Sequence, residues 1–259
     1  MSIRRKVAGL FTSIAVVAAL VITGATSASA ASNGNCSGGT VAAGSYDSLT
    51  ITGFCALNGG NVTVRLNLKV ASTGLFNALF GESTLTVGGN LIVEPGGALA
   101  LGCDPEELPC FDNAAATSNH SVGRNLVVDH GLLVIVHDNH IGGNVAQVGG
   151  GAGFGCSPLF PNGPPDYTDY ANNVIDGSAS VSGLRTCWDG FSHNVVAGNV
   201  NHIDNRTAID DGNLIDGNHI AGSLRCFDDA PTPHLSDGPT PIMNVVAGAA
   251  QGQCAAISV

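Results

Sequence analysis

The feature that most constrains the fold of this chain is a short unit, Asn-x-(Val/Ile)-x-Gly, that returns at intervals along it. NHIGG begins at Asn139, and related units begin at Asn173, Asn194, Asn218 and Asn244. Alignment on the β-branched residue extends the repeat to nine positions, most of them 19 to 26 residues apart. Self-similarity with this period predicts a solenoid, in which each repeat packs on the next. The nine aligned residues are Ile51, Val64, Val87, Val122, Ile141, Ile175, Val196, Ile220 and Val246.

The apolar residues of the repeats alternate with other residues, as in Leu85–Val87, Leu91–Val93 and Leu126–Val128. A period of two predicts strands. The 36 glycines spread along the chain disfavour helices. Short strands joined by turns predict an all-β fold, a single-stranded parallel β-helix (β-solenoid) of about nine coils at roughly 49–254, with inserted loops tied by disulfides.

Each residue of the repeated unit has a structural role in such a coil. The β-branched residue points into the core, where it fits a pleated surface. Glycine permits a sharp corner. The asparagine is expected to adopt the left-handed conformation at that corner and to hydrogen-bond the asparagine of the next coil. The sequence therefore predicts one column of stacked asparagines, formed by Asn139, Asn173, Asn194, Asn218 and Asn244.

Residues 1–30 have the composition of a cleaved export signal. Three basic residues at 4–6 precede an uncharged apolar run, and small residues at 28–30 offer a cleavage site. The remaining chain, 31–259, is predicted to form one β-helix domain with an N-terminal cap at 31–48. We expect it to be secreted or at the cell surface, with no membrane span after cleavage.

Cleavage would leave six basic and 20 acidic residues, a formal net charge of −14. This balance argues against nucleic acid and anionic lipid as partners. All eight cysteines lie in the exported part, where an even number favours disulfides. A zinc site would favour a Cys-x-x-Cys spacing, which the sequence lacks. Pairing between sequence neighbours is the most economical connectivity, and it gives Cys36–Cys55, Cys103–Cys110, Cys156–Cys187 and Cys226–Cys254.

Three insertions, Gly102–Asn119, Gly149–Asn172 and Cys226–Met243, interrupt the repeat. Insertions in repeat proteins become loops, and loops commonly carry binding residues. The second insertion brings two tyrosines close in sequence to the only tryptophan. Aromatic rings beside carboxylates suit a sugar-binding groove, and they equally suit a small loop core. The candidate binding residues are Tyr167, Tyr170, Arg185, Trp188 and Asp189.

Three histidines and two carboxylates fall within twelve residues, at Asp129, His130, His137, Asp138 and His140. Such a set can bind a divalent metal or perform acid–base chemistry. Because neighbouring residues on a strand point to opposite faces, adjacent pairs cannot both face one site. Polar residues at coil corners are therefore the competing interpretation.

A second acidic tract, HIDNRTAIDDGNLIDGN, is dense in oxygen ligands. Carboxylates at this density can hold a structural Ca²⁺, although the spacing matches neither an EF-hand nor the nonapeptide calcium repeat. Turn-forming Asp and Asn are the competing explanation, and no other cofactor is indicated. The candidate calcium ligands are Asp204, Asp210, Asp211 and Asp216.

The recurring segments Val87-GGNL, Ile141-GGNV and Val196-AGNV resemble those of right-handed parallel β-helices. One such group is the pectin-lyase-like superfold of exported lyases, glycoside hydrolases and adhesins, and another is the cytoplasmic bactofilin type. The export signal and cysteines disfavour the second group. With its CWDG segment, the chain also resembles small secreted actinobacterial β-helix proteins of unassigned function. The resemblance implies right-handed winding over about Leu49–Gly248.

The resemblance to the lyases would imply an Arg or Lys base beside carboxylate-bound Ca²⁺. The exported part offers few bases and no lyase signature: Lys69, Arg65, Arg124, Arg185, Arg206 and Arg225. A hydrolase would need carboxylates gathered on one wall. The spacing does not single any out, although Asp176, Asp204 and Asp216 are conceivable.

Three functions follow as expectations. The first is an extracellular, non-catalytic scaffold that binds a glycan or cell-wall polymer, and the second is a polysaccharide lyase or hydrolase. The third is self-association into fibres through the solenoid ends. Three or more carboxylates converging in an open groove would favour the enzyme, whereas a wall of Asn, Ser and Val with a flat aromatic patch would favour the scaffold.

Overall fold

The structure, a computed structural model, describes residues 32–159, 165–236 and 241–259. The predicted export signal at 1–30 lies outside these ranges. Within them the regular elements are 28 strands and one short 3₁₀ helix, Gln253–Ile257. No helix in these ranges is long and apolar enough to cross a membrane.

A typical coil contains three strands, which stack on the equivalent strands of neighbouring coils and so build three walls, A, B and C. Wall A contains β5 (Val62–Val64), β8 (Leu85–Val87), β11 (His120–Val122), β14 (Asn139–Ile141), β17 (Val174–Ile175), β21 (Val195–Val196), β25 (His219–Ile220) and β27 (Val245–Val246). Wall B contains β6 (Leu68–Val70), β9 (Leu91–Val93), β12 (Leu126–Asp129), β15 (Val145–Val148), β18 (Ala179–Ser182), β22 (Val200–Ile203), β26 (Leu224–Phe227) and β28 (Ala250–Gly252).

Wall C contains β2 (Gly39–Thr40), β4 (Phe54–Ala56), β7 (Leu75–Ala78), β10 (Ala98–Leu101), β13 (Leu133–His137), β16 (Tyr167–Ala171), β20 (Trp188–Ser192) and β24 (Leu214–Asp216). At the N-terminal end β1 (Ser32–Cys36) and β3 (Gly44–Ile51) pair with one another and continue walls A and B. Two short strands, β19 (Arg185–Thr186) and β23 (Arg206–Thr207), pair at a corner between walls B and C. All strand pairs are parallel, and the stack of eight to ten levels agrees with about nine coils.

The β-branched residues that define the repeat stack directly on one another inside wall A. Val64 lies opposite Val87, and the alignment continues without a shift through Val122 and Ile141 to Val246. The first aligned residue is an exception. Ile51 lies opposite Val70 in wall B, because Tyr46 is the residue that stands opposite Val64. The short first step of the repeat therefore marks a change of wall. The alignment of Ile51 with the wall A residues is wrong, because Ile51 belongs to wall B.

The predicted asparagine column is confirmed along the corner between walls C and A. The side-chain oxygen of Asn194 accepts hydrogen bonds from the backbone N–H and the side-chain amide of Asn173, both at 3.0 Å. The amide of Asn194 donates to the carbonyl of Tyr170 at 2.8 Å and to the side-chain oxygen of Asn218 at 3.1 Å. These side chains thus pair buried backbone groups that the sheet leaves free.

The left-handed conformation falls one residue earlier than predicted. The residues with positive φ at this corner are Asp138 (54°), Asn172 (56°), His193 (55°) and Gly217 (65°). None of the column asparagines that follow them has a positive φ, and each lies at the start of the next wall A strand or one residue before it. The chain turns before the ladder residue, and this leaves the ladder amide pointing inward.

A second ladder runs along the corner between walls A and B and uses the Asn or Ser that follows the repeat glycine. The backbone N–H of Asn125 donates to the side chain of Asn90 at 3.1 Å, and that of Asn144 donates to Asn125 at 2.8 Å. Here each N–H bonds the side chain of the preceding coil, whereas in the first ladder it bonds the side chain of the following coil. The two ladders therefore run in opposite directions.

All four predicted disulfides are confirmed: Cys36–Cys55, Cys103–Cys110, Cys156–Cys187 and Cys226–Cys254. The predicted cap region already contains stacked strands, since Ser32 of β1 lies opposite Tyr46 of β3. Together these features define a disulfide-bonded parallel β-solenoid.

The buried polar side chains include a charged group in the later coils. His202 of β22 points inward, and its Nε2 donates to Asp189 at 2.7 Å while its Nδ1 donates to Asp229 at 3.1 Å. Burial opposes the charge on the imidazole, but the two carboxylates outweigh it and raise the pKa of His202 to about 10. A positive charge therefore lies enclosed between two carboxyl groups.

Candidate ligand-binding wall

The outer face of wall C carries polar side chains beside a small apolar cluster. Residues alternate along each strand, so Tyr167 and Asp169 of β16 face outward while Thr168 and Tyr170 face the core. The inserted segment at 103–119 covers part of this face through a small apolar cluster. That cluster includes Leu79, Ala98, Ala100, Cys103, Cys110, Leu133 and Ile135.

A cleft of about 380 Å³ opens between the 103–110 loop and the corner where wall C meets wall A. Three successive coils supply its far side through the left-handed residues Asp138, Asn172 and His193. We call it the acidic cleft. The residues that line it are Asp104, Pro105, Glu106, Thr117, Asp138, Asn172 and His193.

Two carboxyl groups meet inside the acidic cleft. One oxygen of Asp104 is held by the backbone N–H groups of Glu106 and Glu107, at 2.8 and 2.7 Å. Burial opposes ionisation of Asp104, but these bonds and a hydrogen bond with the Asp138 carboxyl keep its pKa below the usual range. Burial, together with the neighbouring Asp104, raises the pKa of Asp138 to about 7. The two carboxyl groups therefore titrate as a coupled pair, and Asp138 is the member that retains a proton to higher pH.

Two histidine–carboxylate pairs flank the Asp104–Asp138 pair. His137 Nε2 bonds Asp169 at 2.8 Å, and His137 Nδ1 lies 3.5 Å from Asp104. Burial disfavours a charged His137, but Asp169 outweighs it and the pKa of His137 is raised. His193 Nδ1 bonds Glu107 at 2.9 Å, while burial raises the pKa of the Glu107 carboxyl.

The corner residues of the cleft occupy a backbone conformation that glycine adopts most easily. Gly217 holds the equivalent position one coil beyond His193, with φ 65°. Asp138, Asn172 and His193 adopt the same conformation at a cost of roughly 1 kcal/mol or more each. Asp, Asn and His are the residues that tolerate it best, and in these three coils it aims their side chains into the cleft.

The aromatic end of the wall lies beside Asp169. The indole of Trp188 lies over Gly190, so that a Cβ on this glycine would meet both the ring and the Asp169 carboxylate. Tyr167 packs edge-on against the indole with ring centroids 6.1 Å apart. Asp169 thus connects the aromatic pair to His137 and the acidic cleft, and the whole row is on one wall.

The five predicted binding residues do not form one surface. Tyr167 and Trp188 are half-buried on the outer face of wall C. Tyr170 and Asp189 are 0% and 1% exposed, because the alternation along β16 and β20 turns them into the core. Arg185 lies at the corner between walls B and C, where it bonds Asp204 at 3.0 Å.

The five residues of the predicted histidine–aspartate cluster lie in three separate parts of the structure. His137 and Asp138 border the acidic cleft. His130 bonds Asp129 at 2.5 Å on exposed wall B, and His140 bonds Asp176 at 3.0 Å on the outer face of wall A. His219 lies farther along wall A, in a shallow apolar groove with Val195 and Val245.

The four predicted calcium ligands are likewise separated. Asp204 is paired with Arg185 and Arg206, Asp216 is 2% exposed, and Asp210 and Asp211 border a hollow near His234. Across 32–159, 165–236 and 241–259, no group of three or more His, Cys, Asp or Glu side chains is arranged to hold a metal ion.

The residues that a lyase would use as a base lie away from the cleft. Arg65 pairs with Asp47 at 2.8 Å, and Lys69 pairs with Glu94 at 3.1 Å. Arg206 pairs with Asp204, while Arg225 bonds Gln251 at 3.2 Å. Among the residues that line the described cleft, none is Arg or Lys.

The sequence analysis did not predict Asp104, Glu107 or His193 as site residues. A positional signal existed for His193, because it shares with Asp138 and Asn172 the place before a column asparagine. Compared with models of protein families, with curated proteins and with solved structures, the chain matches none of them.

Proposed function

We propose that this disulfide-bonded β-solenoid acts outside the cell and binds a glycan along the outer face of wall C, between its inserted loops. The observation that carries the proposal is the row formed by Trp188, Asp169 and the acidic cleft. An aromatic face beside hydrogen-bonding carboxylates is the usual means by which proteins bind sugars, because the ring covers C–H groups while carboxylates accept from hydroxyls.

A second candidate function is glycoside hydrolysis at the same wall. It is favoured by four carboxyl groups near one cleft, at Asp104, Glu107, Asp138 and Asp169, one of which carries a proton near neutral pH. A glycosidase needs two carboxyl groups about 5 to 9.5 Å apart. Asp104 and Asp138 are in direct contact, so an acid role for Asp138 would require Glu107 or Asp169 as its partner.

The lyase alternative has less support than the hydrolase. Lyases of the pectin-lyase-like superfold, which the repeat resembles, imply an Arg or Lys base, and the basic side chains named above lie elsewhere. Their acidic polymer substrates would also meet a negatively charged cleft, where like charges repel. A neutral or basic glycan fits this wall better.

A glycan array with the oxidised protein tests the proposed binding. Trp188→Ala and Gly190→Val should both reduce binding at least about tenfold, since the first removes the aromatic face and the second displaces it. Phe227→Ala is the matched control, because Phe227 is an exposed ring on wall B. Binding that survives both wall C variants would contradict the proposal.

An assay for newly released reducing ends, on every glycan that binds, separates the two candidates. Release that disappears in Asp138→Asn would favour the hydrolase. Binding without release would leave the protein as a glycan-binding scaffold.

A further inference from the structure

We propose that the acidic cleft binds the ammonium group of an amino sugar, so that the glycan recognised on wall C is one that contains unacetylated glucosamine units. This inference rests on the proposed glycan-binding function and specifies its ligand.

Unpartnered atoms inside the cleft are the first support. The Oδ2 atoms of Asp104 and Asp138 are buried and accept from no N–H group among the described residues. Apart from the contact between the two carboxyl groups, the nearest donor is His137 Nδ1, which lies 3.5 Å from Asp104 Oδ2. Asp104 is only 4% exposed. Two backbone N–H groups of the loop fix its other oxygen, which leaves Oδ2 directed toward Asp138 and the cleft.

A buried carboxylate oxygen without a donor is costly. In the free protein, one proton shared by the Asp104–Asp138 pair offsets that cost. A ligand ammonium can replace the proton, because it brings a positive charge and three N–H donors to a pair of carboxyl groups that, once deprotonated, offer only acceptors. A hydroxyl brings no charge, and an acetamide has a single N–H and additional bulk.

The charges around the pair also favour a cation. Glu106 and Glu107 approach from the loop, Asp169 approaches from β16, and the histidines present are His137 and His193, each paired with a carboxylate. The cleft therefore attracts positive charge. The adjacent Trp188 and Tyr167 provide the surface for a sugar ring, and this distinguishes an amino sugar from a simple amine.

The test compares three tetrasaccharides that differ only at C2: the oligomers of glucosamine, N-acetylglucosamine and glucose. Isothermal titration calorimetry with the oxidised protein at pH 6 should give an affinity for the glucosamine tetramer about tenfold or more above the other two. At this pH, binding should also release a proton from Asp138, which titrations in buffers of different ionisation enthalpy will detect.

The variant Asp104→Asn keeps an oxygen for the two loop N–H groups and removes the charge. We expect it to lose both the preference for glucosamine and the release of the proton. Asp129→Asn is the matched control, since Asp129 is an exposed carboxylate on wall B that pairs with His130. It should retain both. The wild-type ligand series stands as a test even if Asp104→Asn folds poorly.

Each outcome has one meaning. Equal affinity for all three tetramers would overturn the amino-sugar inference and leave glycan binding intact, whereas no binding of any glycan would remove both. Spermidine or trilysine binding as tightly as the glucosamine tetramer would also overturn the inference, because attraction to charge alone would then explain the affinity.

Discussion

The imidazole of His120 lies opposite Asn139 in the next coil and occupies the first position of the asparagine ladder. Its Nδ1 accepts the backbone N–H of Leu85 at 3.0 Å, and its Nε2 donates to the carbonyl of Ala78 at 2.9 Å. These are the two bonds that an asparagine makes in later coils. Because one nitrogen must accept, the ring has to be neutral, and burial accordingly lowers its pKa.

His120 is therefore expected to make the fold sensitive to acid. A histidine whose pKa is lowered by folding contributes stability that is lost as the pH falls below its unfolded value of about 6.5. His120→Asn should fold and should lose less unfolding free energy between pH 6.5 and 4.5 than the wild type. Urea unfolding at several pH values measures the difference, and parallel curves for the two proteins would contradict the assignment.

The first asparagine ladder is expected to contribute more stability than the second. Asn194→Ala would leave the backbone N–H of Asn173 and the carbonyl of Tyr170 buried without partners, at a cost of about 3 kcal/mol. Asn199→Ala removes an equivalent side chain from the exposed second ladder, where water replaces it at below about 1 kcal/mol. Equal losses in denaturant unfolding would show that burial does not distinguish the ladders.

The buried charge at His202 should contribute strongly to stability at neutral pH. His202→Gln leaves Asp189 and Asp229 without a cation, and we expect a loss of about 3 to 5 kcal/mol in unfolding free energy. Folding raises the pKa of His202 to about 10, so its contribution is full below pH 6.5 and declines as the pH rises toward 10. The wild type and the variant should therefore converge over that interval, as measured by urea unfolding.

At the left-handed corner, the effect of a substitution on ligand binding can be separated from its effect on the stability of the fold. His193→Gly relieves roughly 1 kcal/mol of backbone strain and loses the partly exposed hydrogen bond to Glu107, so stability should change by less than about 1 kcal/mol. Glycan affinity should fall nevertheless, because the side chain lines the cleft. Asp228→Gly provides the control, with φ 60° at an exposed corner outside the cleft. Calorimetric binding and thermal unfolding of both variants measure the two effects.

The repeating parts of the fold could be predicted because they depend on local sequence. The stacked Val and Ile residues and the asparagine column follow from residues that recur from coil to coil, and the disulfides follow from the pairing of cysteines that are neighbours in the sequence. The exceptions were also local. His120 replaces an asparagine with a ring of similar hydrogen-bonding capacity, and Ile51 belongs to a different wall.

The acidic cleft could not be predicted in the same way. Asp138 and His193 occupy the same corner in different coils, and Asp104 meets them only because the first insertion folds over that corner. Nor does the sequence show which alternate residues face outward when a strand carries polar residues on both faces. Asp169 and Asp189 illustrate this. Asp169 of β16 faces outward opposite Gly190, whereas Asp189 of β20 faces the core opposite Thr168.

Because the two ladders run in opposite directions, a solenoid of this kind can lengthen or shorten only by whole coils. Interior rungs such as Asn173 and Asn144 make the same bonds to the rung before and the rung after, so a whole coil inserted among them would meet matching donors and acceptors on both sides. A few residues added within a wall would instead interrupt both ladders at once. Growth of the solenoid is therefore modular, while gradual variation is confined to its loops.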